Sequence, residues 1–421
     1  MKRFLSSLFP VEKPGGLPWR TLVFVWLFWA VAILGFQALA TARLKVKRPD
    51  YARQWTASYT QTNSNLRSPY LSDPFMNSQV SFDSEYYLSI AVGGYEDPVM
   101  RRIPTEAGDI SQNYAFYPFY PLVTRAVAWS LRLISLAPIG RATLAAVIVS
   151  LLGTLAGLVA LYDLTRSLLD DQAAWRSSFY LLIFPSAVFF AMVYTEGLFI
   201  GLAFTSLALA RRGKIAWAAL LTIPALFTRA VGLLLIFPIG IAWLRQRLDF
   251  RQPLHLQLTR RFTFEGVSLL LPVVAYLAWS LSPMARNFYL VEEAWFGHRP
   301  FDLPSSIAAW KDAWGLFTQG HIHARILHGM EFASILLALV SSLWLLRRDV
   351  GLGIFCLLLL AVPSVSGSFQ SMIRYMLVIP ASYIFLAWLG RHPSFDRAWT
   401  ILSTLLLGME ALLYAFDMWV A

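Results

Sequence analysis

The feature that most constrains this chain is the recurrence of long apolar runs. The first, Thr21 to Ala42, is long enough to cross a hydrocarbon core of ~30 Å as a helix. Within lipid every backbone N–H and C=O must be satisfied internally, so such runs fold as helices or as closed barrels. Continuous apolar runs, without the two-residue alternation of a barrel strand, select helices. Hydrophobic residues make up 57% of the chain and charged residues 14%, against about 25% charged in soluble domains. The expectation is an all-α polytopic membrane protein. The net charge of +11 does not point to nucleic acid, because Lys and Arg gather in short turns between spans, as positive-inside orientation requires. Sixteen Trp suit interfacial anchoring. The one cysteine, Cys356, sits in an apolar run and is expected to be a small core residue.

After the first run, spans are predicted at roughly 141–165, 174–194, 197–211, 214–228, 230–247, 265–282, 328–346, 350–366, 372–390 and 397–418, about eleven in all. Residues 115–136 are apolar but interrupted by Tyr117-Pro118-Phe119-Tyr120-Pro121, Arg125 and Arg132. They read as an interfacial or partly inserted helix. Charge tests this count. With 115–136 not crossing, the turns Arg166–Arg176, Arg211–Lys214, Arg245–Arg261, Arg347–Arg348 and Arg391–Arg397 share one face, and every one is basic. That face is then cytoplasmic. The other face collects 43–140, Tyr194–Glu196, Thr228–Arg229, 283–327 and Ser364–Ser371, and with them nearly all the polar residues that look chemical. Met1 to Arg20 carries Lys2, Arg3, Lys13 and Arg20 without a small-residue cleavage pattern. An uncleaved anchor with a cytoplasmic N-terminus is expected. The whole chain reads as one membrane domain, 1–421, with two external excursions at 43–140 and 283–327. The basic start of the first, Arg43 to Arg48, argues weakly against an external placement.

Four polar constellations stand out. The first is Phe82-Asp83-Ser84-Glu85-Tyr86-Tyr87, in a segment too long for an idle loop. Ser81 can cap a short helix that Gly93-Gly94 ends, with Asp83, Tyr87 and Ile90 on one face. Asp83 is then either a reactive carboxylate or a partner of the helix dipole. The second is Tyr194-Thr195-Glu196, directly between two apolar runs. Glu196 either caps the next helix or is a rim carboxylate with a partner. The third is Thr228-Arg229-Ala230-Val231-Gly232, where Arg229 calls for an anion, either Glu196 or a lipid phosphate. The fourth runs from Ser366 to Tyr375. It places Ser368, Gln370 and Arg374 at the start of a span, where helix N–H groups and a guanidinium favour phosphate. Snorkelling of Arg374 to the interface is the alternative. His298, His321, His323 and His328 fit an interfacial loop better than a metal site. The sequence contains no DxD pair, Walker loop, dinucleotide turn or CxxC.

Together these motifs, with Phe116 to Leu122 and Phe184-Pro185-Ser186, resemble in order the GPI mannosyltransferase 2 (PIG-V) family and its bacterial relatives, within the GT-C class of membrane glycosyltransferases. Phe82 stands where the family usually has Trp, and Tyr86 where its eukaryotic members tend to have His. The resemblance implies a GT-C-like fold and an inverting transfer of a hexose, by family mannose. The donor would be a polyprenyl-phosphate-linked sugar. The acceptor would be a hydroxyl of a glycan, glycolipid or protein on the non-cytoplasmic face of a bacterial plasma membrane. Asp83, with Glu85 beside it, would be catalytic. Arg374, Arg229, Gln370 and Ser368 would bind the donor phosphate. Tyr87, Tyr117, Tyr120, Glu196 and Trp295 would contact substrate. No cofactor, metal or nucleic acid is implied. The rival readings are a transporter or flippase, and a non-catalytic scaffold subunit.

Overall fold

The computed structural model describes residues 16–45, 75–247, 260–297 and 301–420. The stretch before Gly16, Val46-Lys47-Arg48 with the middle of the first excursion, and His298 lie outside the described residues.

Helix α1 spans Trp19–Arg43. After the first excursion come the short α2, Ser84–Val92, and a hairpin of β1, Arg102–Thr105, and β2, Gly108–Ser111, paired antiparallel with Ile103 opposite Ile110. Next are α3, Phe119–Ser130, and the long α4, Pro138–Leu168. Helices α5, Asp171–Ile183, and α6, Glu196–Arg211, are joined by a 3-10 turn at Pro185–Phe190. Helices α7, Ile215–Leu226, and α8, Ile236–Arg247, are joined by another at Ala230–Leu235. Then follow α9, Arg260–Ser268, α10, Leu270–Ser280, α11, Pro283–Val291, and a π turn at Glu292–Phe296. The chain finishes with α12, Leu303–Gln319, α13, Ile322–Leu346, α14, Val350–Ser364, α15, Met372–Leu377, α16, Pro380–Leu389, and α17, Pro393–Ala415.

Six described helical stretches are long and apolar enough to cross a membrane: α1, α4, 230–247, 263–280, α13 and α17. The chain is a multi-pass membrane protein. The count is lower than the sequence predicts because several apolar runs are not continuous helices. The run read as a span at 174–194 stops at Ile183, before Pro185, and continues as 3-10 turn and loop. The run at 214–228 holds Pro224 and ends at Leu226. The run at 372–390 is cut at Pro380 into α15 and α16. Proline lacks the N–H a helix interior needs, and irregular backbone at membrane depth is tolerated only where protein or a cavity surrounds it. The predicted interfacial piece is the twelve residues of α3. At 1.5 Å per residue it reaches only about 18 Å, too short to cross.

The centre of the fold is the crossing of α4 and α6. A Cβ on Gly197 would stand 2.3 Å from the Ser150 carbonyl oxygen, and one on Gly201 2.5 Å from that of Gly153. Small residues let the two backbones touch, as in tightly packed membrane helices. Ser150 and Thr154 of α4 donate hydrogen bonds to the carbonyls of Tyr194, 3.0 Å, and Phe190, 2.9 Å. The broken segment before α6 is thereby tied to the longest helix, and Glu196 is held at its tip. At the other end of α6, ion pairs lace the basic turns: Arg211 with Asp349, Arg212 with Asp163 at 2.6 Å, and Arg247 with Glu265 at 2.7 Å. The sixteen residues of α6 separate these two ends by about 23 Å.

Candidate functional site

Four charged residues from distant parts of the chain meet in one cluster. Arg374 Nη1 donates to Asp83 Oδ2 at 2.9 Å, and its Nε donates to Glu196 Oε1 at 3.0 Å. Arg229 Nη1 donates to the same Glu196 oxygen at 2.6 Å, and to Thr195 Oγ1 at 3.2 Å. Side-chain exposure grades across the cluster, from 22% at Asp83 through 11% at Arg374 and 10% at Arg229 to 0% at Glu196. Asp83 is therefore the member at the mouth and Glu196 the one at the base. Two acids and two guanidinium groups balance in charge, which is what allows a cluster this buried.

Local structure places each member. Asp83 is the N-cap of α2, but its carboxylate turns to Arg374 and makes no capping bond. Ser81, predicted to cap this helix, instead donates to the Tyr414 carbonyl at 2.9 Å. Gly93 closes α2, and Gly94 follows at φ +90°, a conformation glycine adopts without steric penalty. The cluster's entry points are strained. Phe82, directly before Asp83, has φ 52°, and Ser371, three residues before Arg374, has φ 61°. Non-glycine residues hold such angles at a cost of order 1–3 kcal/mol and concentrate at functional sites. Arg229 sits in extended backbone where α7 has ended. Glu196 opens α6 at the close crossing with α4.

Aromatic side chains line the guanidinium groups. Arg374 lies 4.6 Å from the Tyr194 ring centre and 5.3 Å from that of Phe189, and Arg229 lies 5.3 Å from that of Tyr375. The Tyr194 hydroxyl accepts from the Asp83 backbone N–H at 3.2 Å and donates to the Ser81 carbonyl at 3.2 Å. Tyr194 thus braces Asp83 and Arg374 together. The sequence places Tyr194 in the Tyr194-Thr195-Glu196 constellation but gives it no role in the site.

The other predicted site residues fall elsewhere. Glu85, expected to be catalytic beside Asp83, is buried in the first turn of α2. Tyr87 is buried among the rings of Phe116, Tyr120 and Tyr194, and Tyr120 is fully buried with its hydroxyl 3.1 Å from the Ala146 carbonyl. Both, expected to contact substrate, pack beneath the cluster. Burial pushes the Tyr87 hydroxyl well above its ordinary pKa, with the Asp83 charge adding to it, so it stays protonated. Glu196, expected to contact substrate, has no exposed side-chain surface and holds the two arginines. Tyr117 packs on Trp279 and Phe288. Ser368 accepts from the Gln370 backbone N–H at 3.2 Å and closes a turn in the loop before α15. Trp295 lies under the Arg101 guanidinium, 4.4 Å from its ring centre. His321 caps α13 through His323 N–H. His328, expected beside an interfacial loop, is buried in α13 with its Nδ1 2.7 Å from Glu331.

Fold and site define a polytopic helical membrane protein with a carboxylate–guanidinium centre at one end of its helices. Residues 56–276 match the mannosyltransferase (PIG-V) family, more than half of the chain, and the chain belongs to that family. The match ends before Trp295 and Arg374. No curated protein matches the chain. Among solved structures it is similar to the oligosaccharyltransferase of Archaeoglobus fulgidus in the apo form, at 14% identity and a TM-score of 0.45, covering 94% of this chain and 56% of that one. It is also similar to ArnT from Cupriavidus metallidurans bound to undecaprenyl phosphate, at 15% identity and a TM-score of 0.46, covering 93% of this chain and 64% of that one. The chain thus spans less than two thirds of the length of either.

Proposed function

We propose that this protein is an inverting glycosyltransferase that moves a hexose from a polyprenyl-phosphate donor to an acceptor hydroxyl. The family makes that hexose mannose. The observation that carries this reading is the 2.9 Å pair between Asp83 and Arg374, at the open end of an otherwise buried cluster. Asp83 is the one carboxylate there that an acceptor can reach. It takes the proton of the attacking hydroxyl. The acceptor oxygen forms a bond to the anomeric carbon as the carbon–oxygen bond to phosphate breaks, and the electron pair of that bond leaves on the lipid monophosphate. Arg374, backed by Arg229, stabilises the charge that grows there. An arriving phosphate competes with Asp83 for Arg374, so donor binding releases the base it will need.

The site faces the non-cytoplasmic side of a bacterial plasma membrane in this reading, with the N-terminus in the cytoplasm. In support, the arginine-rich turns lie at the opposite end of α6.

A transporter is the second reading, favoured by the broken helices at 183–196, 226–236 and 364–380, since discontinuous spans surround transporter sites. Such sites lie at mid-membrane depth, whereas this cluster sits at the tip of α6. Turnover of polyprenyl-phosphate mannose in detergent separates the two. Asp83→Asn is expected to lower kcat by about 10²–10⁴-fold while the protein still binds undecaprenyl phosphate. Wild-type turnover by the variant removes Asp83 as base, and no turnover by the parent protein favours transport.

A further inference from the structure

The end of the bundle that carries the basic turns has a cavity of its own. There α5 and α17 begin, and a groove of about 640 Å³ opens between α1, α4, α5 and α17. Sites for small ligands run to about 300–1,000 Å³. The walls are apolar, with Leu22 and Val25 of α1, Leu158 of α4, Phe179 of α5 and Ile401 of α17. Phe179 is 39% exposed and Ile401 62%, so the groove is open on the side where lipid chains lie.

Three polar donors line the same groove. Ser178 is buried, and its Oγ has no hydrogen-bond partner among the described residues. A buried hydroxyl left unpaired is costly, so an acceptor from outside the chain would relieve it. Arg176 Nε donates to the Ala387 carbonyl at 3.0 Å, which fixes the side chain and leaves both Nη groups for a ligand. Arg397 is exposed and makes no ion pair among the described residues. The acids nearby are committed. Asp396 accepts from the Tyr180 hydroxyl at 2.5 Å, Asp171 pairs with Arg166 at 2.8 Å, and Asp170 caps α5 through the Ala173 N–H at 2.7 Å. Two lining guanidinium groups against one lining carboxylate leave a single positive charge, which one phosphodiester balances. On α5 the Ser178 hydroxyl lies about 3 Å further from the helix start than Arg176. Charge, hydroxyl and apolar wall thus follow one another as phosphate, ester and acyl chain do in a glycerophospholipid.

We propose that an anionic glycerophospholipid of the surrounding bilayer binds here, with its acyl chain in the groove, its phosphate on Arg176 and Arg397, and its ester carbonyl on the Ser178 hydroxyl. Basic pockets between membrane helices bind lipid headgroups in this way. This chain's own N-terminal stretch is a poorer occupant, because Lys2, Arg3 and Lys13 against Glu12 add to the same positive charge. The groove lies at the opposite end of the helices from the Asp83–Arg374 cluster, and its occupancy needs neither donor nor acceptor. The probes are phosphatidylglycerol and phosphatidylcholine with identical acyl chains, titrated into the full chain in detergent and read by native mass spectrometry. The parent protein is expected to hold phosphatidylglycerol about tenfold more tightly. Arg397→Gln should weaken phosphatidylglycerol about fivefold and leave phosphatidylcholine unchanged, which also reports that the variant is folded. Arg391→Gln alters an exposed arginine over Trp388, outside the groove, and should change neither. Equal retention of the two lipids, or phosphatidylglycerol retention that Arg397→Gln leaves intact, overturns the site. So does a loss that Arg391→Gln reproduces, which would mark a diffuse basic surface. Phosphatidylglycerol binding that appears only after removal of residues 2–14 would seat the N-terminal stretch in the groove and overturn it as well.

Discussion

At the scale of single residues, Glu196 is the buried anchor of the charge cluster. One of its oxygens holds two guanidinium groups, and the side chain has no exposed surface. Glu196→Gln leaves two partly desolvated cations facing a single acid. Breaking one partner out of a buried pair destabilises by about 3–5 kcal/mol. A thermal unfolding series in detergent should show that loss, and a variant as stable as the parent would mean the cluster is looser than its geometry. Asp83 and Arg374 were each legible in sequence as candidate site residues because charged residues beside apolar runs are few, but the pair the sequence offered was Arg229 with Glu196. The aromatic neighbours were not. Tyr87, Tyr120 and Tyr194 read alike as rings near a membrane. Only packing separates Tyr194, whose hydroxyl holds Asp83, from Tyr120, whose hydroxyl bonds to α4.

At the scale of elements, the site exists because helices stop early. Pro185, Pro224 and Pro380 were visible, yet the apolar runs around them read as continuous spans. Hydropathy measures the solvent of a segment, not the continuity of its hydrogen bonds. The crossing of α4 and α6 then sets the depth of Glu196. Gly197→Ala would drive a methyl group to 2.3 Å from backbone that cannot retreat, whereas Gly240→Ala meets nothing within 4 Å. Overpacking of this kind typically costs 1–3 kcal/mol. Extraction and melting of the two variants side by side should show Gly197→Ala impaired and Gly240→Ala unchanged. Equal behaviour would show that the two helices part easily.

At the scale of the whole molecule, the proposed orientation has a direct test. Leu133, in the turn between α3 and α4, is 92% exposed, and the natural Cys356 is fully buried. A Leu133→Cys protein in intact cells should react with a membrane-impermeant maleimide with little background. Labelling only after the cells are opened would place this turn in the cytoplasm and reverse the orientation. The 12-residue α3 fits the reading of 115–136 as a non-crossing segment, and the charge argument for orientation depends on that segment.

What the sequence determined alone is the solvent of each segment and the scarcity of its charges, because both are sums over neighbouring residues. From them follow the membrane class and the short list of acids and arginines. Which of those meet was decided by tertiary structure. The 291 positions between Asp83 and Arg374 are closed to 2.9 Å by helices that break and cross. That closure depends on backbone contact between α4 and α6 and on packed rings, and neither leaves a trace in the local order of residues.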